Sequence, residues 1–189
     1  MARFWTSAAK TLNPGGTVAL WNSSGTVVCR KSTLSLPRNL LTSKDPTTPN
    51  ASRVQELMFR LEREYLAPYE RPGNILSRTF YDSLLLPWNM TPPIEGFSST
   101  RFTKHEWDRD GKPSSGDEFF LGNQHVTVAR LMKVYETTSL MARWRQANPE
   151  LIGTDSDILV KTARDLREAL GGENLVIGVG CVLLLFTKE

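Results

Sequence analysis

Cysteine is nearly absent: Cys29 and Cys181 are the only two in 189 residues. That is too few for the disulfide framework of a small secreted domain, and it makes a reducing compartment the default. Histidine is as scarce, with His105 and His125 alone. No pair drawn from these residues has zinc-site spacing, so no metal centre is expected. Long apolar runs are missing too. The longest, Leu175 to Phe186, falls short of the roughly 20 residues that a membrane-spanning helix needs. The formal charge is +3, but the basic residues are scattered and form no run of the kind that binds nucleic acid. No Gly-x-Ser-x-Gly elbow, P-loop or catalytic Cys/His signature occurs. Asn22, Asn50 and Asn89 sit in Asn-x-Ser/Thr triplets, but no signal peptide precedes them. These absences point to a cytoplasmic protein that takes neither nucleic acid nor membrane as a partner. At 40% hydrophobic and 23% charged residues, the chain is long enough for one domain with a real core.

What is present centres on Leu12-Asn13-Pro14-Gly15-Gly16-Thr17-Val18-Ala19-Leu20-Trp21. Phe4, Trp5, Ala8, Ala9 and Leu12 recur at helical spacing and predict a short amphipathic helix. Pro14 cannot continue it, and Gly15 or Gly16 can take the positive φ that ends it. Thr17 to Trp21 is a β-rich run suited to a strand covered on both faces. A polar stretch rich in Ser, Thr and Pro then reaches Asn50, long enough to mark a functional or mobile loop. Ser52 to Leu66 predicts a helix with Val54, Leu57, Met58, Leu61 and Tyr65 on one face, begun at Pro49-Asn50 and stopped by Pro68. Pro68 to Asn74 is a turn. Ile75 to about Leu84 is a second helix, burying Ile75, Leu76, Phe80 and Leu84.

Phe97 to Trp107 suits a strand, and loops follow at 108–111 and 113–116. Val126 to Trp144 predicts one long helix with Leu131, Met132, Tyr135, Leu140 and Met141 inward. Thr154 and Asp155 are placed as caps of a last helix whose face is Ile158, Leu159, Ala163, Leu166 and Leu170. Gly171-Gly172 ends it, and Leu175 to Thr187 is a terminal strand buried on both faces. The one Gly-x-Gly, Gly178-Val179-Gly180, lies inside that strand rather than between a strand and a helix, so it is not a nucleotide-binding turn. The order predicts a single α/β domain. Residues 1–21 form a helix and strand, 22–96 a loop and helical insertion, and 97–189 a strand, helices and the terminal strand.

Phe4-Trp5 together with the Leu12–Trp21 stretch resembles the entry to strand five of class I S-adenosylmethionine (SAM)-dependent methyltransferases, and within them the fungal group related to trans-aconitate methyltransferase. Further stretches resemble that group in the same order. They are Pro49-Asn50-Ala51-Ser52, then Leu66-Ala67-Pro68-Tyr69 with Pro72-Gly73-Asn74, then Tyr81 and Leu84 with Leu86-Pro87-Trp88. Last come Thr138-Ser139, Arg143-Trp144-Arg145 and Asn148-Pro149-Glu150, where Asn148 stands in place of the family's His. The resemblance implies a partial Rossmann-like α/β fold of about three strands, strands five to seven. Its last pair would be antiparallel, the final strand would lie between five and six, and a helical lid would be inserted between five and six. It implies methyl transfer from SAM to a small carboxylic acid or a secondary metabolite. A carboxylate is already anionic at neutral pH, so in-line displacement can dispense with a general base and positioning dominates. The lid residues able to hold the acid or exclude water are Tyr69, Arg71, Asn74, Trp88, Arg143 and Trp144. Structural readings stand beside these: turn building for Tyr69 and Asn74, packing for the tryptophans, solvation or ion pairing for Arg143 and Arg145.

The SAM-binding elements of this fold are a glycine-rich turn after the first strand and an acidic residue ending the second. Neither occurs, nor does the acidic-aromatic stretch that relatives place around the adenine. Met1 falls just before Phe4-Trp5. The expectation is therefore the C-terminal half of such an enzyme, truncated or split, unable to bind SAM with micromolar affinity alone. The alternative is a non-catalytic remnant that serves as a binding module or as a partner subunit. Two structural expectations follow. Tyr69, Trp88 and Arg143 should converge on one cavity with the end of the Thr17–Trp21 strand. That strand should also have an unpaired edge, with Val176, Val179, Val182 and Leu184 partly uncovered, favouring a homo-oligomer or a completing partner chain.

Overall fold

A computed structural model describes residues 2–28, 48–114 and 118–189, and in residues 24–28 the backbone only. The chain divides into two compact units. One comprises Met1–Ser24, Pro72–Trp107 and Cys181–Glu189, the other Gly25–Arg71 and Asp108–Gly180. No helix among the described residues is long and apolar enough to cross a membrane.

The first unit is built on helix α1, Ala2–Thr11, and strand β1, Thr17–Val28. Trp5 is fully buried and packs edge-on against Phe97 and Phe186, at 5.8 and 4.6 Å between ring centres. Gly15, at φ 80°, takes the left-handed turn that ends the helix segment. The other end of the chain completes this cap. Lys188 Nζ donates to the carbonyls of Ala9 (2.7 Å) and Leu12 (2.8 Å), which the helix itself leaves without partners. The Gly15 N–H donates to the Lys188 carbonyl at 2.9 Å, and the Lys188 N–H to that of Gly16 at 2.8 Å.

The last strand, β4 (Asn174–Thr187), lies between β1 and β2 (Phe102–Trp107). It runs antiparallel to β2, from Phe102 opposite Phe186 to Trp107 opposite Cys181. β1 extends seven residues beyond the expected Trp21, so the start of the stretch read as loop is strand; of the rest, residues 29–47 lie outside the described residues. The helix expected over 75–84 is displaced. As α3 it runs Pro72–Arg78 and stops because Phe80 and Tyr81 take positive φ values of 55° and 60°. Phe80 is thereby turned into the core with Leu84, Met90 and Phe97.

In the second unit, α2 (Ala51–Arg60) continues into a π-helical turn, Leu61–Tyr65. Val54, Leu57, Met58 and Leu61 are buried, as their helical spacing requires. The single helix expected over 126–144 is three elements: β3 (Gln124–Thr127), α4 (Val128–Glu136) and α5 (Ser139–Ala147). Two threonines impose the breaks. Thr127 Oγ1 accepts the Arg130 N–H, and Thr138 Oγ1 accepts the Met141 N–H, each at 3.2 Å, so each residue caps a new helix. β3 pairs antiparallel with the first part of β4, Gln124 opposite Ile177 through Thr127 opposite Asn174. The described sheet therefore has four strands rather than about three.

The last helix, α6, spans Ile158–Leu170 and is capped by Asp157, not by Thr154 or Asp155. The buried Asp157 carboxylate accepts the Leu159 N–H at 2.8 Å and the Gly153 N–H at 3.0 Å, fixing the incoming loop and the helix start together. Gly171, at φ 64°, terminates α6. One further expectation fails: Val176, Val182 and Leu184 are buried, and only Val179 is half-buried.

Candidate functional site

Three of the six candidate residues meet in the second unit. Pro68 opens a 3₁₀ turn, Ala67–Tyr69, directly after the π-helical turn, and this carries Tyr69 to α5. On α5, Arg143 and Trp144 are successive, so they leave the helix about 100° apart. Trp144 enters the core, 4% exposed, while Arg143 Nε donates to the Tyr69 carbonyl at 2.7 Å. Asn148, the C-cap of α5, closes the cluster. Its Nδ2 donates to the Tyr69 hydroxyl at 3.0 Å and to the Trp144 carbonyl at 2.8 Å, using both amide hydrogens. With the Tyr69 oxygen accepting, its own O–H proton remains able to donate to an anion. Asn148 was legible only as a departure from the family pattern; that it would hold Tyr69 depends on a contact 79 residues apart.

The remaining candidates are placed otherwise. Arg71 is exposed at the end of a segment of the second unit. Asn74, in α3, and Trp88 belong to the first unit. Trp88 is half-buried and packs on Phe102 and Phe186, at 5.5 and 6.2 Å between ring centres. Arg145 forms an ion pair with Glu136 at 3.2 Å.

The described residues do not fit a SAM cradle. Gly178 lies in mid-strand, and the space beside it is filled by the Phe119 ring. Asp108, the acidic residue just after β2, is fully buried and committed to the backbone. Its Oδ1 accepts the Ser114 N–H at 2.8 Å and its Oδ2 the Phe120 N–H at 2.5 Å, leaving it no reach toward a ribose. Among the described residues no three His, Cys, Asp or Glu side chains cluster as metal ligands, and Cys29 lies outside those residues.

No family profile matches the sequence, and no curated protein matches it. Among solved structures, the fold is similar to that of a protein from Anaeromyxobacter dehalogenans assigned as a type II methyltransferase. The TM-score is 0.54 and the identity 16%, over 99% of this chain and 58% of that one. The chain thus spans less than two thirds of that protein's length. At this identity the likeness is one of fold: an α/β arrangement of helices and antiparallel strands, consistent with part of a methyltransferase domain. It does not reach the fungal trans-aconitate group.

Proposed function

We propose that this chain is the substrate-side portion of a SAM-dependent methyltransferase relative acting on a small carboxylic acid. One observation carries the reading: β4 is inserted between β1 and β2 and runs antiparallel to β2. That is the order the family resemblance implies for strands five, seven and six, and the similar fold of the bacterial methyltransferase supports it. In this reading the segment between β1 and β2 serves as the lid. Tyr69 donates its hydroxyl proton to the substrate carboxylate, with Arg143 supplying positive charge beside it. Arg71, in the same unit, contributes a further donor, and buried Trp144 anchors α5 in the core. SAM would supply the methyl group, held by residues other than those described here. The setting proposed is the cytoplasm.

The experiment is a labelled-methyl transfer assay over a panel of small mono-, di- and tricarboxylic acids. It is run on this chain and on the product of the longest transcript from its locus. Transfer is expected only from a product that carries a glycine-rich strand–turn–helix, and calorimetry should show no micromolar SAM isotherm for the 189-residue chain. A micromolar isotherm would sink the division of labour proposed. The second reading, a non-catalytic binding module or partner subunit, draws on the Tyr69–Arg143–Asn148 cluster being knit by its own hydrogen bonds. No transfer by either product, with acid binding retained, would favour it.

A further inference from the structure

A cleft lies in the second unit, lined by none of the candidate residues above. It has a volume of about 430 Å³, within the range of small-molecule sites. Strand pairing builds it. His125 lies opposite Val176 and Thr127 opposite Asn174, so alternate residues of β3 and β4 present one face to the cleft. Arg130, from the first turn of α4, supplies the rim. One wall is pinned by buried Thr48, whose hydroxyl accepts the Val176 N–H at 2.7 Å and donates to the Val176 carbonyl at 3.0 Å.

The charge is one-sided. His125 and Arg130 are both exposed, and among the described residues no acidic one lines the cleft. Neither side chain has a hydrogen-bond or ion-pair partner among the described residues; the one bond at Arg130 uses its backbone N–H. Thr127 Oγ1 accepts that N–H, so its own proton is left to donate. Most of the lining surface is apolar, and exposed Pro49 contributes to it. A bare inorganic anion would leave those walls wet, whereas an acid with a short apolar body would use both kinds of surface.

We infer that this cleft binds a small organic carboxylate, its anion met by Arg130 and His125 and its body lying against Pro49. The site does not rest on the methyl-transfer reading, since it uses none of the residues assigned there. The chain has only two histidines, and His105 lies on β2 in the other unit. Ring-proton NMR of the full chain therefore carries its own control. Titration with benzoate at fixed pH should move the His125 signals saturably and leave those of His105 in place. Inorganic phosphate at the same concentrations should bind more weakly. R130Q, at an exposed position that leaves the core intact, should weaken benzoate about tenfold by removing a charged hydrogen-bond donor. H125Q should weaken it as well, read by calorimetry. The inference is overturned if His125 does not respond, if both histidines move alike, if phosphate binds as tightly as benzoate, or if R130Q titrates like the wild type.

Discussion

The ring of Phe119 occupies the place where a side chain on Gly178 would begin. A Cβ built at Gly178 would lie 2.1 Å from the ring's Cγ and Cδ2, far inside van der Waals contact. Phe119 is 3% exposed and packs with Val176, so it has little room to withdraw. Gly178→Ala should therefore cost about 2 kcal/mol, as overpacking in a filled core does. Pairing it with Phe119→Ala should recover part of that loss, because the smaller side chain vacates the contested space. Chemical denaturation of the four proteins in the cycle measures the coupling. Additive losses would show that something other than the ring constrains Gly178.

This contact also marks where the sequence stops being readable. Apolar periodicity located α2, α6 and β4, because burying one face or both is a local property of the pattern. That Gly178-Val179-Gly180 was strand and not a nucleotide turn could be read from its neighbours. Why glycine is needed there could not, since the reason sits at Phe119. Caps failed for a similar cause. Thr154, Asp155 and Asp157 are all competent N-caps by type, and Asp157 prevails because it also holds Gly153. The break at Thr138 was hidden because an apolar stripe continues through it from α4 to α5, and a threonine in mid-pattern looks like a tolerated helix residue. Of the candidate site, the sequence offered the residue types; the Tyr69–Asn148 bond required the fold.

Lys104 on β2 supports a prediction in pH. Its ammonium lies 2.7 Å from Asp82 and 2.6 Å from Glu106. Burial pushes its pKa down, but the hydrogen bonds and charges of the two carboxylates outweigh that and hold it above the ordinary lysine value. A cation whose folded pKa is raised stabilises the fold fully below the unfolded value and loses that contribution as pH rises through the folded one. Lys104→Met should cost about 1 kcal/mol, the upper end for a pair of this exposure. The cost should be constant between about pH 6 and about pH 9 and shrink only in strong alkali. Thermal melts across pH check this, and a cost that vanishes near neutrality would contradict the assignment.

Tyr69→Phe keeps the ring and removes the hydroxyl. If Tyr69 only builds its turn, the loss is confined to the bond from Asn148, worth about 1 kcal/mol. Asn148→Ala, which also gives up the bond to the Trp144 carbonyl, should then cost at least as much stability, and the two should match in activity. If the hydroxyl holds the substrate acid, Tyr69→Phe should lower kcat/KM of the completed enzyme about tenfold, the effect of losing a donor to a charged group. Asn148→Ala, which leaves the Tyr69 O–H in place, should retain most activity. Equal kinetics for the two variants would remove Tyr69 from the substrate site.

The last prediction concerns association. β1 stands at one end of the strand order among the described residues, with β4 as its neighbour there. Trp21 on this strand is 48% exposed and lies 5.7 Å, ring to ring, from Trp107. Ala19 and Thr17 are exposed as well, so the described part of the strand carries no charge and few large side chains to keep another chain away. A strand of this kind at a sheet edge invites pairing, and monomeric proteins commonly protect such edges with lysine, proline or a bulge. The chain expressed alone should therefore form a homo-oligomer or require a completing partner. Ala19→Lys should shift it toward the monomer, because a lysine at the edge must be desolvated before another strand can dock. Light scattering at increasing protein concentration reads the state directly. A wild-type chain that stays monomeric and melts cooperatively would count decisively against an edge open to pairing. An oligomer unmoved by Ala19→Lys would place the interface elsewhere.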